Sequence, residues 1–330
     1  MPPGGRGAGG TKGGGGPIET PESWAVVTAG VHGLGRAIAE RLAEAGLGVV
    51  ATTRQADARA AAWAAQASAL FQRPIRVARW DPADPASDDE VLEVLRGEGA
   101  RTRVLVNNAG PFRRARQSLA DVSLETMMLL WQGNVGGGVR LTQRLLPALR
   151  ASRDGRIVNL GAVGAGAAGG WTGRGAYAAA KAALASLTRT WALEEAAHGV
   201  TANMVCPSDI HRQDKEARHP GETRPSGADV AAVVAFFAGD GARFVTGQVV
   251  ELAFGDRPRL LPGEITESPA AALLPAGVHV RLAGDARDYE VLQARTEGAS
   301  VEYLVRPPGA EPRWVPGAAV RRVVAERGRP

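Results

Sequence analysis

A chain of 330 residues that is 45% hydrophobic can bury one large core or two smaller ones. Its formal charge is +5, yet 39 basic residues are interspersed with 34 acidic ones and no uninterrupted basic tract occurs, which makes nucleic acid an unfavoured partner. The single cysteine, Cys206, excludes an internal disulfide and leaves no expected metal site; with no apolar run near the ~18 residues that cross a bilayer and no secretory leader, the expectation is a soluble, cytoplasmic protein with no membrane contact.

Residues 1–22 are dominated by glycine and proline and cannot bury enough apolar surface to offset ordering entropy, so a disordered tail is expected. From residue 23 short apolar runs alternate with longer amphipathic stretches. Ala25–Thr28 reads as a buried strand and Arg36–Ala45 as a helix stopped by Gly46. Gly48–Thr52 is a second strand, followed by a helix over Ala56–Phe71. Further strands are expected at Ile75–Trp80, Val104–Val106, Arg156–Leu160, Thr201–Val205 and Gln248–Leu252. Strands separated by helices of this length pair in parallel through right-handed crossovers, which predicts an α/β, doubly wound parallel sheet over residues 23–256.

Residues 257–277 are proline-rich and without period, and are expected to be a linker. Over 278–330 short alternating runs at Val278–Leu282, Tyr289–Ala294, Val301–Val305 and Trp314-Val315 predict a small β-barrel, similar to an SH3 or Tudor barrel. Tyr289, Tyr303 and Trp314 are either its core or the lining of a groove for a protein partner. Its basic tail, Arg321 to Arg329, is either solvated or the contact for an acidic partner.

Two segments carry chemistry. Tyr177 and Lys181, four residues apart, share a helix face, where a lysine ammonium lowers the cost of ionising a phenol. The first strand runs through Thr28-Ala29-Gly30-Val31-His32-Gly33-Leu34-Gly35 into a helix. That is the setting in which glycines admit a pyrophosphate to free helix N–H groups; a tight ligand-free turn is the alternative.

These residues, with Asn107-Asn108-Ala109-Gly110, Asn134, Asn203, Pro207 and Thr246-Gly247 in order, resemble the short-chain dehydrogenase/reductase family, in particular 3-oxoacyl-carrier-protein reductases, across residues 24–255. The resemblance implies a Rossmann fold, a nicotinamide cofactor, and hydride exchange with a small carbonyl or alcohol substrate. It implies Tyr177 as general acid or base, Lys181 on the nicotinamide ribose, and Asn134 positioning a relay water. It places Thr28, Gly30, His32, Gly33, Leu34, Gly35, Asn108, Ala109, Gly110 and Pro207 along the cofactor. Asp81 meets the adenine or, alternatively, caps its strand end. A homo-oligomer formed through the helices flanking the sheet is also implied.

The second strand ends in Thr52-Thr53-Arg54 without the carboxylate that accepts NAD ribose hydroxyls. Arg54, with His32 nearby, suits a 2′-phosphate, which favours NADP over NAD; an ordinary solvated arginine is the alternative. Three positions depart from the family pattern. Ala29 replaces the first turn glycine, with Gly30 beside it to take the bend, and Ser208 replaces a glycine after Pro207. Ala162 stands where the family has its catalytic serine, leaving Thr172 or a water as substitute donor. Asp209–Pro225, with Arg212, Lys215 and Arg218, reads as a lid over the substrate, and Trp171 as a rim residue. Ala162 sustains a rival reading, an NADP(H)-binding module with weak or no turnover that recruits a partner through its barrel.

Overall fold

The computed structural model describes residues 21–112, 116–210, 224–253, 279–282, 288–297, 300–316 and 320–324. The tail over 1–20, the lid residues 211–223 and the linker at 257–277 lie outside the described residues. The chain divides into two compact units, Met1–Leu260 and Leu261–Pro330.

In the first unit the strands are β1 (Trp24–Val27), β2 (Gly48–Thr53), β3 (Ile75–Arg79), β4 (Thr102–Asn107), β5 (Arg156–Leu160), β6 (Thr201–Pro207) and β7 (Val249–Leu252). They form one parallel sheet in the order β3-β2-β1-β4-β5-β6-β7. The helices are α1 (Gly33–Glu44), α2 (Ala58–Phe71), α3 (Ser87–Gly97), α4 (Leu124–Trp131), α5 (Gly137–Ala151), α6 (Gly175–Glu194) and α7 (Gly227–Ala238).

Alternation along the central strands divides the core in two. Ala25, Val27, Val49 and Ala51 pack with Ile38 and Leu42 of α1, Trp63 of α2 and Val234 of α7. Trp24, Val26, Val50, Leu105 and Ile157 pack on the other face with Val91 of α3, Leu145 of α5 and Trp191 of α6. Buried on both faces, the central strands are largely apolar, which is why they read as runs rather than alternations, and their buried polar side chains, such as Asn107 and Asn159, hydrogen-bond to each other. Truncating a fully buried side chain such as Leu145 to alanine is expected to cost about 2–5 kcal/mol. The strand order reverses between β1 and β4, and this is the crevice where open α/β sheets bind ligands.

The second unit is an antiparallel sheet of β8 (His279–Leu282), β9 (Asp288–Glu297), β10 (Ser300–Arg306), β11 (Arg313–Pro316) and β12 (Val320–Val324), in the order β11-β10-β9-β8-β12. The expected closed barrel is corrected. Closure needs the outer strands to share a ladder, and among the described residues β11 and β12 do not pair, so this is an open sheet rather than an SH3-like barrel. Tyr289 and Tyr303 are buried with Val291, Val305 and Val315, so both rings are core and not groove, while Trp314 is half-buried. β12 falls where a basic tail was expected; Arg321-Arg322 hid its alternation. Among the described residues no helix is long and apolar enough to cross a membrane, and no group of three or more His, Cys, Asp or Glu could hold a metal.

Candidate active site

The crevice is built by two turns fastened to each other. Thr28 Oγ1, at the end of β1, accepts from the Asn108 and Ala109 amides at 2.8 and 2.9 Å and donates to Val106 O at 3.3 Å. Asn108 Nδ2 returns a bond to Thr28 O at 2.9 Å. The bend itself differs from the expectation. Ala29, not Gly30, takes the left-handed conformation, with φ of 51°. Gly30 is required for another reason: a Cβ there would lie 2.8 Å from Val27 O and 2.9 Å from the Ala51 Cβ. Gly35 is equally constrained, since a Cβ would collide with Ala29 O and lie 2.6 Å from Asn108 Nδ2.

Gly33, in contrast, has φ of +53° and faces open space, and the α1 N-cap His32 makes no side-chain capping bond. A backbone cradle at an uncapped helix start, bare of side chains where a ligand approaches, fits the pyrophosphate of a dinucleotide. Leu34 is half-buried behind it, packed on the core. His32 and Arg54 are exposed at the same end of the sheet, where Thr52 O and Oγ1 accept from the Gly30 and Ala29 amides. Asp81 Oδ1 accepts from Ala83 N at 2.8 Å within the turn after β3.

The catalytic candidates meet at the other end of the crevice. A π turn, Gln132–Gly136, interrupts the helix between α4 and α5 and turns Asn134 inward. Asn134 Nδ2 donates to Leu130 O at 2.9 Å and Pro111 O at 3.0 Å, and its buried Oδ1 has no partner among the described residues. Gly110 separates Asn134 from Lys181: a Cβ there would collide with Asn134 Oδ1 and lie 3.4 Å from Lys181 Nζ. Lys181 Nζ donates to Leu160 O at 2.8 Å and lies 5.7 Å from the centre of the Tyr177 ring. Tyr177 is half-buried between two other rings, Phe112 edge-on at 5.0 Å and Trp171 tilted at 5.9 Å. Tyr177 and Trp171, with Ala162, Val163, Ala165 and Lys181, line a narrow cleft.

Burial dominates the electrostatics here. It pushes the Tyr177 phenol up from its ordinary range; Cys206 adds to that and Arg174 pulls it back. Burial also lowers Lys181 to about 8, with Cys206 opposing, and pushes the Cys206 thiol up to about 12. Burial, rather than Lys181, sets the direction of the phenol's shift. Ala162 is buried beside Tyr177 and brings no hydroxyl, and Thr172 is exposed and not among the cleft's lining residues. Pro207 ends β6, and the Oγ of the following Ser208 is likewise buried without a partner among the described residues. Two orphaned polar atoms, from Asn134 and Ser208, fit a polar cofactor end and an ordered water rather than a packed core.

Sequence reasoning missed Phe112 and the π turn. The glycines at 133, 136, 137 and 138 inside an otherwise helical segment were the available signal.

Comparison with known proteins accords with this geometry. A family described as short chain dehydrogenase matches residues 23–220. YtkK of Bacillus subtilis is 35% identical over 243 residues, spanning 70% of this chain and 95% of its own length. The 3-oxoacyl-[acyl-carrier-protein] reductase FabG of Escherichia coli is 32% identical over 243 residues, spanning 70% of this chain and 96% of its own. The solved structure of acetoin dehydrogenase YohF from Salmonella typhimurium superposes with a TM-score of 0.64 at 26% identity, covering 70% of this chain and 94% of that one.

Proposed function

The chain belongs to the short-chain dehydrogenase/reductase family, a family of nicotinamide-dependent oxidoreductases, and we propose that it is an NADP-dependent carbonyl reductase or alcohol dehydrogenase in which Tyr177 carries the proton. The observation that supports this most is the convergence of Tyr177, Lys181 and the orphaned Asn134 Oδ1 around Gly110 at the mouth of the crevice.

Thr28, Gly30, Gly33, Leu34 and Gly35, with Asn108, Ala109 and Gly110, would hold the dinucleotide, and Pro207 would border its nicotinamide end. When bound, the cofactor supplies or accepts the hydride. In reduction, Tyr177 Oη donates a proton to the substrate oxygen. Lys181 Nζ has donors left beyond its bond to Leu160 O. A water held by Asn134 Oδ1 would accept from Lys181 Nζ and bring solvent protons to the amine, which in turn would resupply the Tyr177 phenolate after it has given its proton. Without a serine at 162, one preorganised donor to the substrate oxygen is missing, which slows the reaction without removing the proton donor.

The 2′-phosphate reading rests on Arg54 and His32, exposed beside the turn, and on the absence of any carboxylate at the end of β2. The relatives' names, a 3-oxoacyl reductase and an acetoin dehydrogenase, point to a ketone as substrate. The exposed apolar face of α4, with Leu124, Met128 and Leu129 at 73%, 56% and 61% exposure, suits a second copy of the chain. The reading is tested with NADPH dideuterated at nicotinamide C4, so that transfer from either face carries the label, and a ketone panel. Deuterium must appear at the carbinol carbon; a product without it refutes hydride transfer.

A further inference from the structure

The turn after β3 and the π turn that bears Asn134 are fastened as one piece. Arg140, in α5, donates through Nε and Nη2 to the two Asp88 carboxylate oxygens at 2.7 and 3.0 Å. Its remaining donors take the carbonyls of Pro82, Asp84 and Asp81 at 3.0, 3.1 and 3.3 Å. Asp88 is itself buried and accepts from Trp80 Nε1 at 2.7 Å, so the fork is rigid at its base. Gln132, the first residue of the π turn, sends Nε2 to the same Pro82 O at 2.9 Å. Gly137, which follows the π turn, packs so closely on Pro82 that a Cβ would overlap it. Pro82 is thus gripped from both sides of Asn134.

A π turn is a local register defect, held only while its surroundings favour it over the α-helical register. The four glycines among residues 132–138 weaken the α-helical register but do not fix where the extra residue falls. The grip on Pro82 is what the structure offers to hold it.

We propose that Gln132 and Arg140 are positioning residues that couple occupation of the Asp81–Asp84 turn by the adenosine half of the cofactor to the placement of the Asn134 amide. This rests on the proposed cofactor reading together with the family resemblance, which sets the adenine beside Asp81. Binding energy from a remote part of the cofactor is then used to orient a group at the reacting end, the general way in which non-reacting portions of a ligand raise turnover rather than affinity alone.

The probe is adenosine 2′,5′-bisphosphate, which has the adenine and 2′-phosphate and no nicotinamide. At saturation it is expected to slow amide exchange at 81–86 and also at 130–138 in the unmodified protein. In Gln132→Leu the slowing at 81–86 persists and that at 130–138 is lost; Arg140→Lys, which keeps the charge against Asp88 but not the fork, behaves the same way. In turnover of reduced nicotinamide mononucleotide, the same fragment added in trans raises kcat at least about threefold in the unmodified protein, and the ratio returns to about one in Gln132→Leu. Failure of the fragment to bind, exchange at 130–138 that ignores it, or an undiminished response in both variants overturns the proposal. Exchange is read without turnover, so an inactive protein would refute the oxidoreductase reading and leave this result standing on its own.

Discussion

Lys181 Nζ lies 5.7 Å from the centre of the Tyr177 ring while bonded to Leu160 O at 2.8 Å, so the cation is shared between the helix that carries the phenol and the end of β5. Its burial lowers its pKa from an ordinary 10.5 to about 8. Between those values the unfolded chain binds more protons than the folded one, so stability rises with pH across that window. Cys206 and Tyr177, both raised by burial, act oppositely at the alkaline end; loss of the amine raises the Cys206 thiol further, but the folded thiol stays protonated below about 12 in both proteins, so these contributions nearly cancel in the difference. The difference in unfolding free energy between the unmodified protein and Lys181→Met is therefore expected to shift by about 2–3 kcal/mol from pH 8 to 10.5. Urea midpoints measured across that range check it; a flat difference would show that Lys181 titrates normally.

Ala162 lies buried against the cleft that Tyr177 lines, so a serine hydroxyl placed there would face the substrate oxygen. Ala162→Ser is expected to raise kcat by on the order of 10²–10³, with a smaller change in KM. Steady-state kinetics on one ketone suffice. An unchanged rate would mean that another donor already fills the role.

Arg54 is exposed at the end of β2 and makes no ion pair among the described residues. Arg54→Glu should weaken NADPH by roughly tenfold to a hundredfold, the scale of one charge-assisted hydrogen bond, and improve NADH. Dissociation constants from cofactor fluorescence test this. Equal effects on both cofactors would remove Arg54 from 2′-phosphate recognition.

Ala29 holds a φ of 51°, a conformation that costs an alanine about 1 kcal/mol or more relative to its usual wells. Ala29→Gly is expected to raise the unfolding temperature by about 2–4 °C despite the entropy added to the unfolded chain. A lower Tm would show that the turn is relaxed in solution.

Much of this was legible in the sequence, for identifiable reasons. Strands such as Trp24–Val27, buried on both faces, announce themselves as apolar runs, and the Tyr177–Lys181 spacing needs only helical periodicity. What stayed hidden depends on distant contacts. The π turn is gripped through Pro82, some fifty residues away in sequence. Phe112 meets Tyr177 only because α6 brings the phenol back to the end of β4. The bend at Ala29 was misplaced because propensity favours glycine there, whereas Gly30 is needed for its close approach to Ala51. β12 was missed because two adjacent arginines interrupt its pattern.

The most direct test of the central claim is NADPH oxidation by the purified protein over a panel of ketones, diketones and acyl thioesters, with Tyr177→Phe alongside. Turnover in the unmodified protein that disappears in Tyr177→Phe is the expected result. Absence of turnover with every carbonyl, or equal rates in the two proteins, would contradict it and favour a cofactor-binding module in place of an enzyme.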